Sequence, residues 1–294
     1  MFKTIDEYLD ALRTAMQGGD AALAQDAQSD AREHLTLALA AAREAAPNVG
    51  EAEALAKIVE EYGSPEETAA AYREVERRTA PILKQSVQPR SFPGRFFGVY
   101  SDPRTWGALL FMFIALVTGI VYFTWAVSGF MLSISLSVFI FGLPLAVLFL
   151  LSIRGLALLE GRMVEALLGE RMPRRPVMGP QGSKLLERLK ALITDRRTWL
   201  SLLYMILQMP LGVLYFSVMS TLLVFSVSIV VIPIFQWIFG FPTYQVASVG
   251  HYLPAWLLIL IQLGGLLLLT LTMHLARGIG WLHGRYAKWM LVAE

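Results

Sequence analysis

The sequence contains no cysteine, which removes disulfides, thiolate chemistry and cysteine-bound metals from consideration. Its four histidines are His34, His251, His274 and His283. No two of them stand at the i, i+4 spacing with a neighbouring carboxylate that builds a zinc site on a helix. Neither a GxGxxG nor a GxxxxGK[ST] phosphate loop is present. Catalysis needs an activated nucleophile, an acid–base pair or a metal. The expectation is therefore a protein that is not an enzyme, with no catalytic residue, no cofactor and no metal. Nucleic acid is not an expected partner.

Charge is also scarce, at 16% of residues, and it is unevenly spread. Residues 1–79 hold 16 of the 23 acidic and 8 of the 25 basic side chains, leaving 7 acidic against 17 basic in the remainder. The first part is polar enough to live in water. The second carries apolar runs of about twenty residues, the length that crosses a hydrocarbon core of roughly 30 Å. Met1-Phe2-Lys3 leads directly to Asp6, Glu7 and Asp10 without an apolar signal segment, so residues 1–79 are expected to remain in the cytosol.

Within 1–79, Ile5, Tyr8, Leu9, Leu12 and Met16 recur at helical spacing, and Gly18-Gly19 closes that helix. Asp20 can cap a second helix through about Ala45, with Leu23, Leu35 and Leu39 inward; Pro47-Asn48 supplies a turn and a third helix runs from about Glu51 to Tyr62. In Gly63-Ser64-Pro65-Glu66-Glu67, a helix-ending Gly, an N-cap Ser, a Pro at the first helical position and a Glu at the third start a fourth helix, which reaches about Arg78. The order Tyr8-Leu9-x-x-Leu12, a long acidic helix, then Glu61-Tyr62-Gly63-Ser64-Pro65-Glu66-Glu67-Thr68-Ala69 resembles the small HAAS domain of bacterial signalling proteins. That resemblance implies signal coupling or protein interaction. Residues 80–100 carry Pro81, Pro89 and Pro93 beside Arg90, Arg95, Phe96 and Phe97, and read as a membrane-surface linker without helical period.

From Ser101 a repeat sets the architecture. Ser101-Asp102-Pro103-Arg104-Thr105-Trp106 returns as Thr194-Asp195-Arg196-Arg197-Thr198-Trp199. At the same offset Leu109, Leu110, Met112, Gly119, Tyr122 and Phe123 return as Leu202, Leu203, Met205, Gly212, Tyr215 and Phe216. Ile140-Phe141-Gly142-Leu143-Pro144 is answered by Ile238-Phe239-Gly240-Phe241-Pro242, and Arg154-Gly155 by Arg277-Gly278. We read the chain as all-α: residues 1–79 form a four-helix cytosolic domain, 80–100 a linker, 101–175 membrane repeat 1, 176–193 a basic cytosolic linker and 194–294 membrane repeat 2. In each copy a spanning helix (106–127 or 199–221) precedes a returning helix (133–153 or 254–276) and a closing amphipathic helix (155–170 or 278–292). The apolar stretch 222–240 is read as a re-entrant or outer-leaflet segment broken at Pro233. Residues 128–132 and 241–253 carry no Lys or Arg, whereas 154–197 carries ten, so both copies should run in, out and back in, as parallel repeats with both termini cytosolic.

The duplicated pattern, with Pro210-Leu211-Gly212 in its second copy, resembles the sensor domain found in front of some bacterial histidine kinases and as stand-alone membrane proteins. The resemblance covers about 96–292 and implies a multi-pass protein of the bacterial inner membrane. The kinase-linked versions continue into a transmitter, whereas this sequence stops at Glu294, so any signal is expected to leave through another protein.

Polar groups at membrane depth carry a functional expectation because they are costly there. Gln208, Gln262 and His274 are such groups: interhelical bonding, ligand contact and, for His274, pH sensing are the roles open to them. Tyr122 and Tyr215, with Phe123 and Phe216, fall near the outer ends of their predicted helices, where they form an aromatic belt or line a shared ligand cavity. Trp106, Trp199, Arg104 and Arg197 are expected as interfacial anchors, and so are Arg154, Arg162, Arg277 and Arg285 on the closing helices, where they either grip lipid head groups or dock the acidic amino-terminal domain. Docking by charge would weaken with salt.

These residues lead to three functional expectations. The first is a membrane sensor or regulator that couples a membrane event to a protein partner, with membrane lipids around it and self-association left open. The HAAS-like resemblance suggests a PadR-type regulator or a transporter as that partner. The second is a small-molecule or lipid transporter with a site between the repeats, and the third a scaffold subunit of a membrane complex.

Overall fold

The computed structural model describes residues 2–46, 48–79, 91–136, 139, 142–174, 185–246 and 249–292. The fold is all-α apart from one short hairpin. Two compact units contain the chain, one built from residues 1–84, 126–204 and 286–294, the other from 85–125 and 205–285.

The amino-terminal helices are α1 (Ile5–Ala15), α2 (Ala21–Ala45), α3 (Glu51–Tyr62) and α4 (Pro65–Thr79). Thr4 accepts from the Glu7 N–H at the start of α1, and Asp20 from the Ala22 N–H at the start of α2. The Ser64/Glu67 capping box closes in both directions: Glu67 N–H donates to Ser64 Oγ at 3.2 Å and Ser64 N–H to Glu67 Oε2 at 2.9 Å. The Ser64 N–H first, and then the Ser64 hydroxyl, hold the Glu67 carboxyl below its usual range. The apolar stripes meet in one core around Tyr8, Leu12, Leu35 and Leu55, all fully buried; burying each such side chain contributes about 1.5–3 kcal/mol. Tyr8 donates its hydroxyl to the Gly63 carbonyl at 3.0 Å and shares a bond with Thr68 Oγ1 at 3.1 Å, tying α1 to the α3–α4 junction. Burial pushes the Tyr8 phenol above its usual pKa of 10.

The remaining helices are α5 (Phe92–Phe97), α6 (Pro103–Leu136), α7 (Gly142–Leu168), α8 (Leu185–Thr194), α9 (Arg196–Phe239) and α10 (Ala255–Leu291). Strands β1 (Tyr244–Val246) and β2 (Val249–His251) pair antiparallel before α10. Four helices, α6, α7, α9 and α10, are long and apolar enough to cross a membrane. Their exposed surface is rich in large apolar side chains such as Val117, Leu148, Val224 and Leu260, the surface a lipid environment accepts.

Several expected boundaries move. The helix expected at 106–127 runs from Pro103 to Leu136, and α7 starts at Gly142 rather than near 133. Gly155 and Gly278 do not separate returning from closing helices. Each lies inside a continuous helix, and a Cβ there would meet nothing within 4 Å, so the missing side chain marks open surface rather than a break. Residues 222–240 are not a separate segment broken at Pro233: α9 is one helix of 44 residues with Pro210 and Pro233 inside it. A proline removes one intrahelical donor, and flanking turns in an apolar helix carry that loss without ending the helix. At 1.5 Å per residue α9 is about 66 Å long, more than twice the roughly 30 Å hydrocarbon thickness. The linker 80–100 contains helix α5 and a 3₁₀ turn at Gly98–Tyr100, with Ser91 accepting from the Gly94 N–H, and the basic linker 176–193 contains most of α8. Pro47, Pro81, Pro89, Arg90, Ile140 and Phe141 lie outside the described residues.

Candidate functional site

In the first unit, α7 ends at Gly169, whose φ of +75° is a left-handed conformation that glycine adopts without strain. The chain then leaves the helix axis as Arg171-Met172-Pro173-Arg174. Arg171 is 4% exposed and acts as a hub. It donates to Asp26 Oδ2 of α2 at 2.7 Å, to Glu76 Oε2 of α4 at 3.1 Å and to the Met172 carbonyl at 2.8 Å, and Glu165 Oε1 of α7 lies 3.5 Å from it. Asp26 uses its other oxygen to accept the Arg174 N–H at 2.7 Å, and the Arg174 side chain donates to Glu165 at 2.7 Å. That bond to Glu165 raises the Arg174 pKa further. Three carboxylates and two guanidinium groups thus join α2, α4 and α7. A buried ion network of this kind contributes little net stability over an apolar replacement, yet removing one member strands the others and costs about 3–5 kcal/mol. Its bonds are all made in one arrangement of α2, α4 and α7. Nearby, Lys288 of α10 donates to Asp20 at 2.7 Å.

None of these hub residues was among the anchors expected from sequence. One signal was available: Asp26 stands on the buried stripe of α2 with Ala22, Leu23, Ala27 and Ala31, and an acid on such a face needs a buried partner. Because Arg171 and its acids are buried, raised salt should weaken mainly the Asp20–Lys288 pair, whose side chains are 22% and 24% exposed, rather than the whole contact.

The anchors of the second collar lie in the same unit. Asp195 caps α9 by accepting the Arg197 N–H at 3.1 Å, and Trp199 Nε1 donates to the Ile193 carbonyl at 2.7 Å. Arg154 donates to Asp195 at 2.5 Å and to Thr198 Oγ1 at 3.1 Å. It is held by protein groups rather than presented to lipid. Arg162 remains 56% exposed, 3.5 Å from Glu165. Glu160 is fully buried and accepts the Tyr204 hydroxyl at 2.9 Å, and Tyr204 stacks on Tyr286.

The first collar, in the second unit, makes the matching bonds. Asp102 accepts the Arg104 N–H at 3.0 Å, Trp106 Nε1 donates to the Tyr100 carbonyl at 2.8 Å, and Arg277 pairs with Asp102 at 3.2 Å. Each collar aspartate is therefore paired with the arginine that follows the other collar in sequence. Arg285 lies 4.0 Å over the Trp281 ring as a cation–π pair.

Tyr122 and Tyr215 are not at helix ends, because α6 and α9 are longer than expected and both residues fall well inside them. Tyr122 is 2% exposed, which does not fit a lipid-facing belt, and Tyr215 bonds His283 Nδ1 at 3.1 Å. His283 is 1% exposed and packs on Phe111; its burial was not foreseen. Gln208 is fully buried, with its backbone carbonyl against Gly119. Gln262 is half-buried on α10. His274 meets the Phe96 carbonyl through Nε2 at 2.9 Å and packs beside the Phe96 ring. The structure does not gather Gln208, Gln262 and His274 into one cluster of mutual hydrogen bonds. Among the described residues no group of three or more His, Asp or Glu side chains is placed to hold a metal ion.

Searches of curated proteins and of solved structures returned no significant match. Residues 111–291, more than half of the chain, match the Sensor family, described as "Putative sensor", and the chain belongs to that family.

Proposed function

We propose that this protein is a non-enzymatic membrane sensor or regulator, with α1–α4 serving as a HAAS-like relay on the cytosolic side and an internally duplicated module forming the membrane part. The observation that carries this reading is the Arg171 hub, which ties α2 and α4 to the end of a helix apolar enough to cross a membrane. A displacement of α7 along or about its axis moves Glu165 and the segment after Gly169, and those groups hold Asp26 and Glu76. Since the network has no slack for an unpaired charge, the relay either follows the displacement or lets go. A partner protein that reads the exposed faces of α2 and α4 would receive the change.

Family membership supports the sensor role, and the close packing of α6 on α9 favours it over a transporter. A Cβ at Gly119 would fall 2.6 Å from the Gln208 carbonyl oxygen, so at this crossing the two backbones leave no room for a substrate between α6 and α9. The scaffold reading has no observation of its own.

The test is affinity purification of the full chain from native membranes in mild detergent, with mass spectrometry, comparing wild type with Arg171→Gln. The reading expects a regulator or transporter to co-purify and its recovery to change at least several-fold in the variant. Vectorial transport of a solute or lipid in proteoliposomes, with no partner dependent on residues 1–79, would overturn it.

A further inference from the structure

A cleft of about 70 Å³ opens beside the hub, within the first unit, its polar lining made by Gln25 of α2, Arg154 of α7, Asp195 at the start of α9, and Arg197 and Ser201 of α9. Its charge is not balanced. Arg154 is engaged by Asp195 and Thr198. Arg197 is not: among the described residues only its backbone N–H has a partner, and its guanidinium has none. Both Arg154 and Arg13 of α1 repel Arg197 electrostatically, and Asp195 is the carboxylate that acts against them. Arg13 is exposed and likewise has no side-chain partner among the described residues. The lining thus holds two guanidinium groups and one carboxylate, an excess of one positive charge around the cleft, and Arg13 adds to the field on Arg197 from outside the lining.

Like charges held together without a counter-charge cost free energy, and an anion in the cleft would remove that cost. The donor set narrows the choice of anion. Guanidinium forks match the oxygens of a phosphate group in bidentate fashion. Ser201, 5% exposed, offers a hydroxyl one turn after Arg197 on the same helix face. The rest of the lining, including Leu158, Met172 and Leu291, is apolar and suits the non-phosphate part of an amphiphile.

We infer that this cleft binds a phosphate group, with Arg197 as the principal contact, Arg154 and Arg13 supplying field, and Ser201 donating. The phosphate belongs either to the head group of an anionic membrane lipid or to a soluble phosphate compound. The inference goes beyond the signalling role and stands without it, since binding is read separately from partner recovery.

The experiment uses the full chain in nanodiscs of phosphatidylcholine alone, of phosphatidylcholine with phosphatidic acid, and of phosphatidylcholine with added inorganic phosphate. Retained lipid is counted by native mass spectrometry and the melting temperature is recorded. Wild type should retain phosphatidic acid and melt higher with it, and Arg197→Gln should weaken retention about tenfold or more, the loss expected for a charge-assisted contact. Arg13→Gln, an exposed substitution that leaves the core intact, should weaken it about two- to fivefold. Arg162→Gln, an exposed arginine that does not line the cleft, should match wild type. If inorganic phosphate alone raises the wild-type melting temperature but not that of Arg197→Gln, the site stands with a soluble occupant. If Arg197→Gln and Arg13→Gln respond to both probes as wild type does, the cleft is not a phosphate site.

Discussion

Gly119 of α6 and Gly212 of α9 each press against the backbone of the helix that carries the other. A Cβ on Gly119 would lie 2.6 Å from the Gln208 carbonyl oxygen, and one on Gly212 would run into that of Ala115. Gly119 and Gly212 occupy equivalent places in the sequence repeat, and so do Ala115 and Gln208. Backbone-to-backbone approach through small residues is how apolar helices pack when there is no hydrophobic gain in leaving lipid.

This crossing makes a paired prediction. Gly212→Ala forces a methyl against backbone that cannot swing aside, and should destabilise the chain by about 1–3 kcal/mol or more. Gly155→Ala, in an open position inside α7, should be neutral or stabilise by about 0.5–1 kcal/mol through reduced freedom of the unfolded chain. Thermal unfolding of the full chain in detergent reads both. Equal destabilisation by the two would show that the crossing is not as described.

The two collars differ at one hydroxyl. Thr198, 1% exposed, accepts from Arg154 at 3.1 Å, whereas Thr105, fully buried, has no hydrogen-bond partner for its hydroxyl among the described residues. Thr198→Val should therefore cost about 1–2 kcal/mol, while Thr105→Val should be neutral or stabilising, because it removes a buried polar atom that makes no bond. The two melting temperatures, compared with wild type, should move apart.

How much of this was legible in sequence depends on the range of the interaction. The capping box at Ser64 and Glu67 is local, so its residues and spacing announced it, and both of its bonds are present. The collars around Trp106 and Trp199 were visible for the same reason, although sequence could not say that each aspartate pairs with the arginine following the other collar. The helices are longer than their Gly-Arg and Pro signals suggest, because neither signal ends an apolar helix here. Pro233 sits inside α9 because an apolar helix has few alternatives for its backbone polar groups. The Arg171 hub joins Asp26 to a residue 145 positions away, and no local period encodes such a pair.

The capping box also carries a pH dependence. The folded state lowers the Glu67 pKa, so the unfolded chain binds the proton more tightly, and this contribution is fully present above the ordinary value of 4.5 and is lost as pH falls through the lower folded value. Ser64→Ala removes one of the two bonds and should cost about 1 kcal/mol at neutral pH. The difference between wild type and Glu67→Gln should shrink on acidification, because the wild-type side chain then becomes neutral too. Denaturant melts of the full chain at neutral pH and at successively lower pH values measure this, and a difference that grows with acid would contradict it.

The last prediction concerns orientation. Four helices able to cross a membrane return the chain to the side where it began, and among residues 128–132 and 241–253 there is no Lys or Arg, while the segments flanking α8 are basic. Basic segments are retained in the cytosol, so both ends should face inward and the β1–β2 hairpin outward. The lack of cysteine makes single-site labelling clean. Gln245→Cys, exposed on β1, should react with a membrane-impermeant maleimide in intact cells. Lys57→Cys, exposed on α3, should react only after the membrane is opened. The reverse pattern would place the Arg171 hub on the outer side, where a relay to a cytosolic partner has no route.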